Sequence, residues 1–198
     1  MGGSNNYLGL TRDPRVLEAA NEAQTRFGTS CSGSRYANGT YTLHVELEER
    51  LADWMGKEAA LCFTTGYTAN LGAISTLADR HDVIFSDKEN HSCIMDATLL
   101  SFAKTKRFIH SDMDDLQRAL EETPERLGRL IVTDGVFSMR GTVADIPKIV
   151  EFKKKYGARV YIDDAHGLGV IGERGRGTAE HFGMHDEVDM IMGTFSKS

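Results

Sequence analysis

The feature that most constrains the fold is an alternation of short apolar runs with longer stretches of helical periodicity. This alternation is typical of α/β proteins, in which helices cover both faces of a mostly parallel sheet. Strands are predicted at 60–63, 83–85, 107–109, 130–132, 160–162 and 188–192, with helices between them near 67–78, 91–103, 114–122, 145–156 and 178–182. Functional residues are then expected at the carboxyl ends of the strands.

Two more helices are predicted before this alternation begins. Asp13-Pro14 is a typical helix start, and a second helix carries Leu47, Leu51 and Trp54 on one face. The sequence contains no internal repeat, low-complexity tract or linker. Residues 1–198 are therefore predicted to form one domain.

Charge and composition exclude several classes of protein. A net charge of −6 and the lack of a long basic block argue against nucleic acid as a partner. Lys153-Lys154-Lys155, the densest basic run, is interpreted as the solvated end of a helix. No apolar stretch reaches the ~20 residues of a membrane span, so we expect a cytoplasmic protein without an integral membrane segment. Three widely spaced cysteines predict free thiols and no metal site.

Two motif matches are interpreted as coincidental. Gly167–Gly172 fits G-x-G-x-x-G, but four residues separate it from the preceding strand, and the glycine-rich stretch after it cannot continue as a stable helix. Dinucleotide binding is therefore disfavoured. Asp163-Asp164-Ala165-His166 is similar to an acidic box of motor ATPases. That chemistry needs a G-x-x-x-x-G-K-[ST] loop, which the sequence lacks.

The segment 64–70 is predicted to bind an anion between a strand and a helix. Gly66 allows close approach to the backbone, and the N–H groups of a helix's first turn favour a phosphate. Thr194 and Ser196 could add hydroxyl donors from another strand end. Ordinary capping of the helix by threonine is an equally good interpretation.

Three polar residues could contact an aromatic, cationic ring. Asp163 leaves a buried strand, so its carboxylate would need a cationic partner such as a protonated pyridine nitrogen. His166 could then reach the phenolic oxygen of the same ring, and His91, at a helix start, could stack on it. The alternatives are a structural salt bridge for Asp163 and a simple capping role for His91.

Lys197 follows a predicted buried strand and a run of small and hydroxyl residues, Gly193-Thr194-Phe195-Ser196. Viewed alone it would be a solvated surface lysine. Near a phosphate site and a stabilised ring, its amine could form a Schiff base with an aldehyde cofactor and later move a proton.

These residues lie in motifs that resemble, in order along the chain, those of the pyridoxal-phosphate-dependent α-oxoamine synthases. The motifs span nearly the whole chain. They are 4–10, 33–35 with 38–40, 44–48, 65–70, 90–91, 137–139, 163–166 and 193–198.

The resemblance implies a fold-type I large domain with a mostly parallel seven-stranded α/β/α sheet, incomplete in this chain, and a homodimer with active sites at the subunit interface. It implies pyridoxal 5′-phosphate (PLP) as cofactor. Four residues match catalytic positions, namely Lys197, His91, Asp163 and His166. These four also match cofactor contacts, together with Thr65, Gly66, Tyr67, Ser138, Thr194 and Ser196.

The reaction implied is a decarboxylative condensation of an amino acid with an acyl-CoA. The segments 38–40 and 193–198 are most similar to those of bacterial serine palmitoyltransferases, which favours L-serine and a long-chain acyl-CoA. A glycine- or alanine-using member and a non-catalytic cofactor-binding fragment are the alternatives. Family members have an N-terminal arm and a C-terminal small domain, so we expect this chain to hold most of the cofactor site only. The isolated fragment is expected to be inactive.

Overall fold

The computed structural model describes residues 3–198, so residues 1 and 2 of the predicted domain lie outside it. The chain divides into two compact units, the first ending at Cys62 and the second comprising Phe63–Ser198. The first unit contains a 3₁₀ helix, Leu10–Arg12, and two α-helices, α1 (Pro14–Phe27) and α2 (Thr42–Met55). The Asp13 carboxylate accepts a hydrogen bond from the backbone N–H of Arg15 at 2.9 Å. This cap confirms the predicted helix start.

The predicted strand at 60–63 is wrong, because these residues have no regular secondary structure. The backbone groups that a strand would use are bound by side chains. The N–H of Cys62 donates to Glu48 Oε1 at 2.7 Å, and its carbonyl accepts from Arg35 Nη1 at 3.2 Å. Glu48 and Arg35 also form a salt bridge of 2.9 Å. An apolar run was therefore mistaken for a strand in a segment whose Leu61 is 65% exposed.

The second unit is built on a parallel sheet. Its strands are β1 (Asp82–Asp87), β2 (Lys104–Phe108), β3 (Gly128–Asp134), β4 (Arg159–Asp163) and β5 (Met190–Met192). They lie in the order β2-β1-β3-β4-β5, and every pairing is parallel. The α/β class with a parallel sheet is confirmed. Within residues 3–198 the sheet has five strands instead of seven, and the run at 60–63 supplies none of them.

Helices follow the strands as the periodicity predicts. They are α3 (Gly66–Leu77), α4 (Ser92–Leu100), α5 (Met113–Glu121), α6 (Ile146–Tyr156) and the short α7 (Thr178–His181), with a 3₁₀ helix at His185–Glu187. Across the part of the chain that the structure describes, no helix combines the length and apolar character required to cross a bilayer.

Alternating residues of the central strands face two separate cores. Phe85, Ile131 and Val160 belong to one buried cluster, which also contains apolar residues of α5 and α6. Ile84, Val132 and Tyr161 belong to the other, with apolar residues of α3 and α4. Because side chains alternate between the faces of a strand, this division places a helical layer on each face of the sheet.

Candidate active site

A pocket with a volume of about 190 Å³ lies at the carboxyl edge of the sheet in the second unit. It is lined by all ten residues that the sequence nominated. These are Thr65, Gly66, Tyr67, His91, Ser138, Asp163, His166, Thr194, Ser196 and Lys197. The structure thus brings together segments more than 130 positions apart in sequence. The role of each residue stays a prediction.

One part of the pocket is formed by hydrogen-bond donors. The first N–H groups of α3, those of Gly66 and Tyr67, have no partner within the helix. Thr65 caps α3 by accepting from the N–H of Thr68 at 3.0 Å, so the capping interpretation is correct for this residue. Thr194 Oγ1 would lie 3.7 Å from a Cβ built on Gly66, and it is 2.9 Å from Ser196 Oγ. The arrangement suits an anion bound by N–H and hydroxyl groups.

Lys197 lies beside a histidine. Its Nζ is 2.9 Å from His166 Nε2, and its side chain is part-buried. Burial, and then the positive charge of Lys197, lower the pKa of His166, which favours a neutral imidazole. Lys197 is therefore a pocket residue with a polar partner, and its interpretation as a solvated surface lysine is wrong.

The segment that delivers Lys197 is held against the loop after β4. A Cβ built on Gly193 would lie 2.1 Å from Leu168 Cδ2, so this position is closely packed. The Ser198 hydroxyl donates to the Leu168 carbonyl at 2.7 Å. The loop that the sequence offered as a dinucleotide motif thus packs against the segment carrying the lysine.

Asp163 is the last residue of β4 and is buried at the pocket wall. Its Oδ2 accepts from Asn70 Nδ2 at 2.6 Å, and its Oδ1 accepts from the Ala165 N–H at 3.1 Å. Burial raises the pKa of Asp163, and these two donors oppose that effect. These donors and the Cys93 thiol, 4.0 Å from Oδ2, are neutral, so among residues 3–198 Asp163 lies in no structural salt bridge.

His91 is both a helix cap and a pocket residue. Its Nδ1 accepts from the Cys93 N–H at 3.2 Å at the start of α4. The His91 N–H donates to Asp134 Oδ2 at 2.9 Å. The Tyr67 ring meets the imidazole edge-on at 6.4 Å between centroids, and the Tyr67 hydroxyl bonds to the Asp96 carboxylate. One face of His91 could therefore contact a ring in the pocket.

Ser138 reaches the pocket from the turn after β3. The Phe137 N–H donates to the Thr142 carbonyl at 2.9 Å, which closes this turn. An ion pair of 3.2 Å between Arg140 and Glu89 ties the turn to the residues after β1. This hydrogen bond and this ion pair hold the loop that places Ser138 at the pocket.

Two polar pocket residues were not nominated from the sequence, Asp134 and Cys93. Asp134 ends β3 and pairs in register with Asp163. Burial, and then the charge of Asp163, raise the pKa of Asp134 to about 8. Burial likewise raises the pKa of Cys93 to about 11, so it is a thiol at neutral pH. Functional residues are expected at the carboxyl ends of parallel strands, and this expectation, which identified Asp163, applies equally to Asp134.

The donor set fits PLP. N–H and hydroxyl groups suit its phosphate, a buried carboxylate suits a protonated ring nitrogen, and a lysine amine suits its aldehyde. Among residues 3–198, no group of three or more His, Cys, Asp or Glu side chains is arranged to hold a metal ion.

Comparisons with known proteins agree with this chemistry. Serine palmitoyltransferase of Sphingobacterium spiritivorum is 52% identical over all of this chain and 50% of that protein. The 8-amino-7-oxononanoate synthase of Geobacter sulfurreducens is 51% identical over 98% of this chain and 50% of that protein. A solved variant of serine palmitoyltransferase from S. paucimobilis with a bound PLP–myriocin aldimine is 41% identical, with a TM-score of 0.96 over 99% of this chain and 49% of that one.

These matches confirm the resemblance seen in the motifs. The chain spans about half the length of the curated relatives it matches. A family model described as aminotransferase class I and II matches residues 3–198. Because that match covers nearly every residue, the chain belongs to the aminotransferase class I and II family.

Proposed function

We propose that these 198 residues hold the PLP site of an acyltransferase that joins L-serine to a long-chain acyl-CoA, giving a 3-oxo-sphingoid base, CoA and CO2. The observation that carries the proposal is the convergence of Lys197, Asp163 and the donor groups around Gly66 on one pocket. Cofactor binding is proposed for the chain itself. The complete reaction is proposed for a protein of the relatives' full length.

Each pocket residue is assigned a different role toward the cofactor. PLP, when bound, supplies an aldehyde for a primary amine and an electron-withdrawing ring. Lys197 Nζ would hold that aldehyde covalently, with release of water, and would move the proton at the amino acid's α-carbon. Asp163 binds the ring nitrogen and keeps its proton in place. His166 and Ser138 hold the phenolic oxygen, and His91 covers one face of the ring.

The phosphate is held without a lysine or arginine. Of the residues that line the pocket, Lys197 is the one lysine or arginine, and it is assigned to the aldehyde. The N–H groups of Gly66 and Tyr67 and the hydroxyls of Thr65, Thr194 and Ser196 bind the phosphate instead. The dipole of α3 adds to this attraction.

Titration with PLP tests cofactor binding. We expect a visible absorption band in the wild-type protein and no band in Lys197→Ala. Borohydride reduction followed by peptide mass spectrometry should place the added mass on Lys197. Lys154→Ala is the control, because Lys154 lies on α6 in a surface ion pair with Glu187. A band that survives in Lys197→Ala would refute the assignment of the lysine.

The choice of amino acid rests on motifs, because the two relatives differ by one percentage point in identity. Motifs at 38–40 and 193–198 support serine, and the synthase match supports an alanine-using alternative. Spectral titration with serine, glycine and alanine separates the two. CoA release from palmitoyl-CoA with the preferred amino acid then tests turnover, and binding without turnover would support the non-catalytic alternative.

A homodimer and a cytoplasmic location belong to the same proposal. Large apolar side chains are exposed around the end of α4, where Leu99 is 82% and Phe102 is 84% exposed. Such a patch is typical of a surface covered by another part of an assembly. Cys31, Cys62 and Cys93 are all free thiols, which suits a reducing compartment. Light scattering across a concentration series tests the dimer.

A further inference from the structure

The interior of α3 contains a fully buried asparagine, Asn70. Asparagine is a poor residue for a helix interior, and a buried amide is costly unless its polar groups are bonded. Here each group has a partner. Asn70 Oδ1 accepts from the Tyr161 hydroxyl at 2.8 Å, and Nδ2 lies 2.6 Å from Asp163 Oδ2 and 3.0 Å from Cys93 Sγ.

The hydrogen bonds of Asn70 depend on the ionisation of Asp163. An ionised carboxylate only accepts hydrogen bonds, so the amide nitrogen of Asn70 must face it. The amide oxygen then needs a donor, and the Tyr161 hydroxyl supplies it. In the reversed amide orientation Asp163 would have to be protonated. In the structure the Tyr161 hydroxyl donates to Asn70 Oδ1, which leaves the amide hydrogens of Asn70 to face the Asp163 carboxylate.

Neither Asn70 nor Tyr161 is among the residues that line the pocket. Asn70 lies on α3 and Tyr161 on β4, and both are buried behind the carboxylate of Asp163. Other ionisable groups around Asp163 are Cys93 and His91 of the α4 region, Asp134 of β3, the adjacent Asp164, and Lys197. Any effect of Asn70 and Tyr161 on a bound ligand must act through Asp163.

We propose that Tyr161 and Asn70 are positioning residues that hold Asp163 ionised and aimed into the pocket. The chain of hydrogen bonds runs from the Tyr161 hydroxyl to Asn70 Oδ1, and from Asn70 Nδ2 to Asp163 Oδ2. The Ala165 N–H fixes the other carboxylate oxygen at 3.1 Å. The inference rests on the proposed function, in which Asp163 binds the ring nitrogen of PLP.

Tyr161→Phe is the test variant, because it removes one oxygen and keeps the ring. Without a donor to its oxygen, Asn70 loses its fixed orientation. We expect the pKa of Asp163 to rise by about one unit and the Kd for PLP to rise about tenfold, the two being equivalent in free energy. Tyr156→Phe is the matched control. Its hydroxyl bonds to Glu121 on the surface, and neither quantity should change.

Infrared titration of the protein without PLP measures the pKa of Asp163, with Asp163→Asn identifying its carboxyl band. This readout separates the two proposals. If the wild type does not bind PLP, the proposed function fails. A raised Asp163 pKa in Tyr161→Phe would still support the positioning role of Tyr161 and Asn70. If the pKa of Asp163 is unchanged in a folded Tyr161→Phe protein, the positioning role is overturned, even if the Tm of the variant falls.

A second variant covers the case in which Tyr161→Phe does not fold. In Asn70→Ser the shorter side chain cannot connect the tyrosine to the carboxylate. The same two changes are expected, a higher Asp163 pKa and a weaker affinity for PLP. If Asn70→Ser lowers Tm alone, Asn70 is a packing residue and the inference is wrong.

Discussion

Replacing Asp134 by asparagine should stabilise the protein in a strongly pH-dependent way. Asp134 lines the pocket and is buried, and its Oδ2 accepts a 2.9 Å hydrogen bond from the His91 N–H. An asparagine oxygen can accept the same bond. The substitution therefore removes the titration of this site while retaining its shape.

The size of the effect follows from linkage between proton binding and folding. Burial, and then the charge of Asp163, raise the pKa of Asp134 from 3.8 to about 8. The folded protein thus binds more protons than the unfolded chain in this window. The contribution of Asp134 to the free energy of unfolding is therefore greatest below pH 3.8 and is lost as pH rises to about 8. At about 1.4 kcal/mol per pKa unit, the loss is on the order of 6 kcal/mol.

Urea unfolding of both proteins without added PLP measures this difference. The variant should match the wild type near pH 4 and be more stable by several kcal/mol near pH 8. Asp164→Asn is a useful comparison, because burial raises the pKa of Asp164 to about 6. The difference in free energy of unfolding between Asp164→Asn and the wild type should stop growing with pH at about that value. A difference between Asp134→Asn and wild type that is constant across pH would refute the reasoning.

Three other substitutions test local packing and capping. Gly193→Ala places a Cβ against Leu168 Cδ2, so we expect about 1–3 kcal/mol of destabilisation and weaker PLP binding. A double variant that also carries Leu168→Ala should relieve both effects. Thr65→Ala removes the cap of α3 and should cost about 1 kcal/mol in urea unfolding, with a higher Kd for inorganic phosphate. Asp189→Asn weakens a 2.9 Å ion pair with the part-buried Lys153, and thermal unfolding should show a Tm several degrees lower at low and high salt alike.

The sequence predicts the second unit well, because its signals are local. Periodicity identified every α-helix of this unit to within a few residues, and apolar runs located four strands, whereas the strand predicted at 107–109 overlaps only the end of β2. The strand-end rule then brought Asp163, His166 and Lys197 to one place, since parallel strands share a carboxyl edge. These features depend on short segments and on a general property of sheets.

Features that depend on distant partners were missed. The run at 60–63 has strand composition, but Glu48 and Arg35 bind its backbone. The basic run 153–155 was interpreted as solvated, yet Lys153 is part-buried against Asp189. Asn70 lies in a recognised motif, and nothing local indicates that it contacts Tyr161, 91 positions later. A pairing between residues so far apart cannot be inferred from one sequence.

The register of the sheet brings together two carboxylates that differ in their hydrogen-bond donors. Asp134 and Asp163 are paired residues on neighbouring parallel strands, so their side chains point to the same face. Two buried carboxylates so close cannot both ionise cheaply. Asp163 accepts from Asn70, from the Ala165 N–H and, at 4.0 Å, from the Cys93 thiol, whereas Asp134 Oδ2 accepts from the His91 N–H. Burial raises the pKa of both groups, and at Asp163 the donors Ala165 and Asn70 oppose that effect. In the proposed function Asp163 meets the cationic group of the ligand, while Asp134 holds the start of α4 by accepting from the His91 N–H.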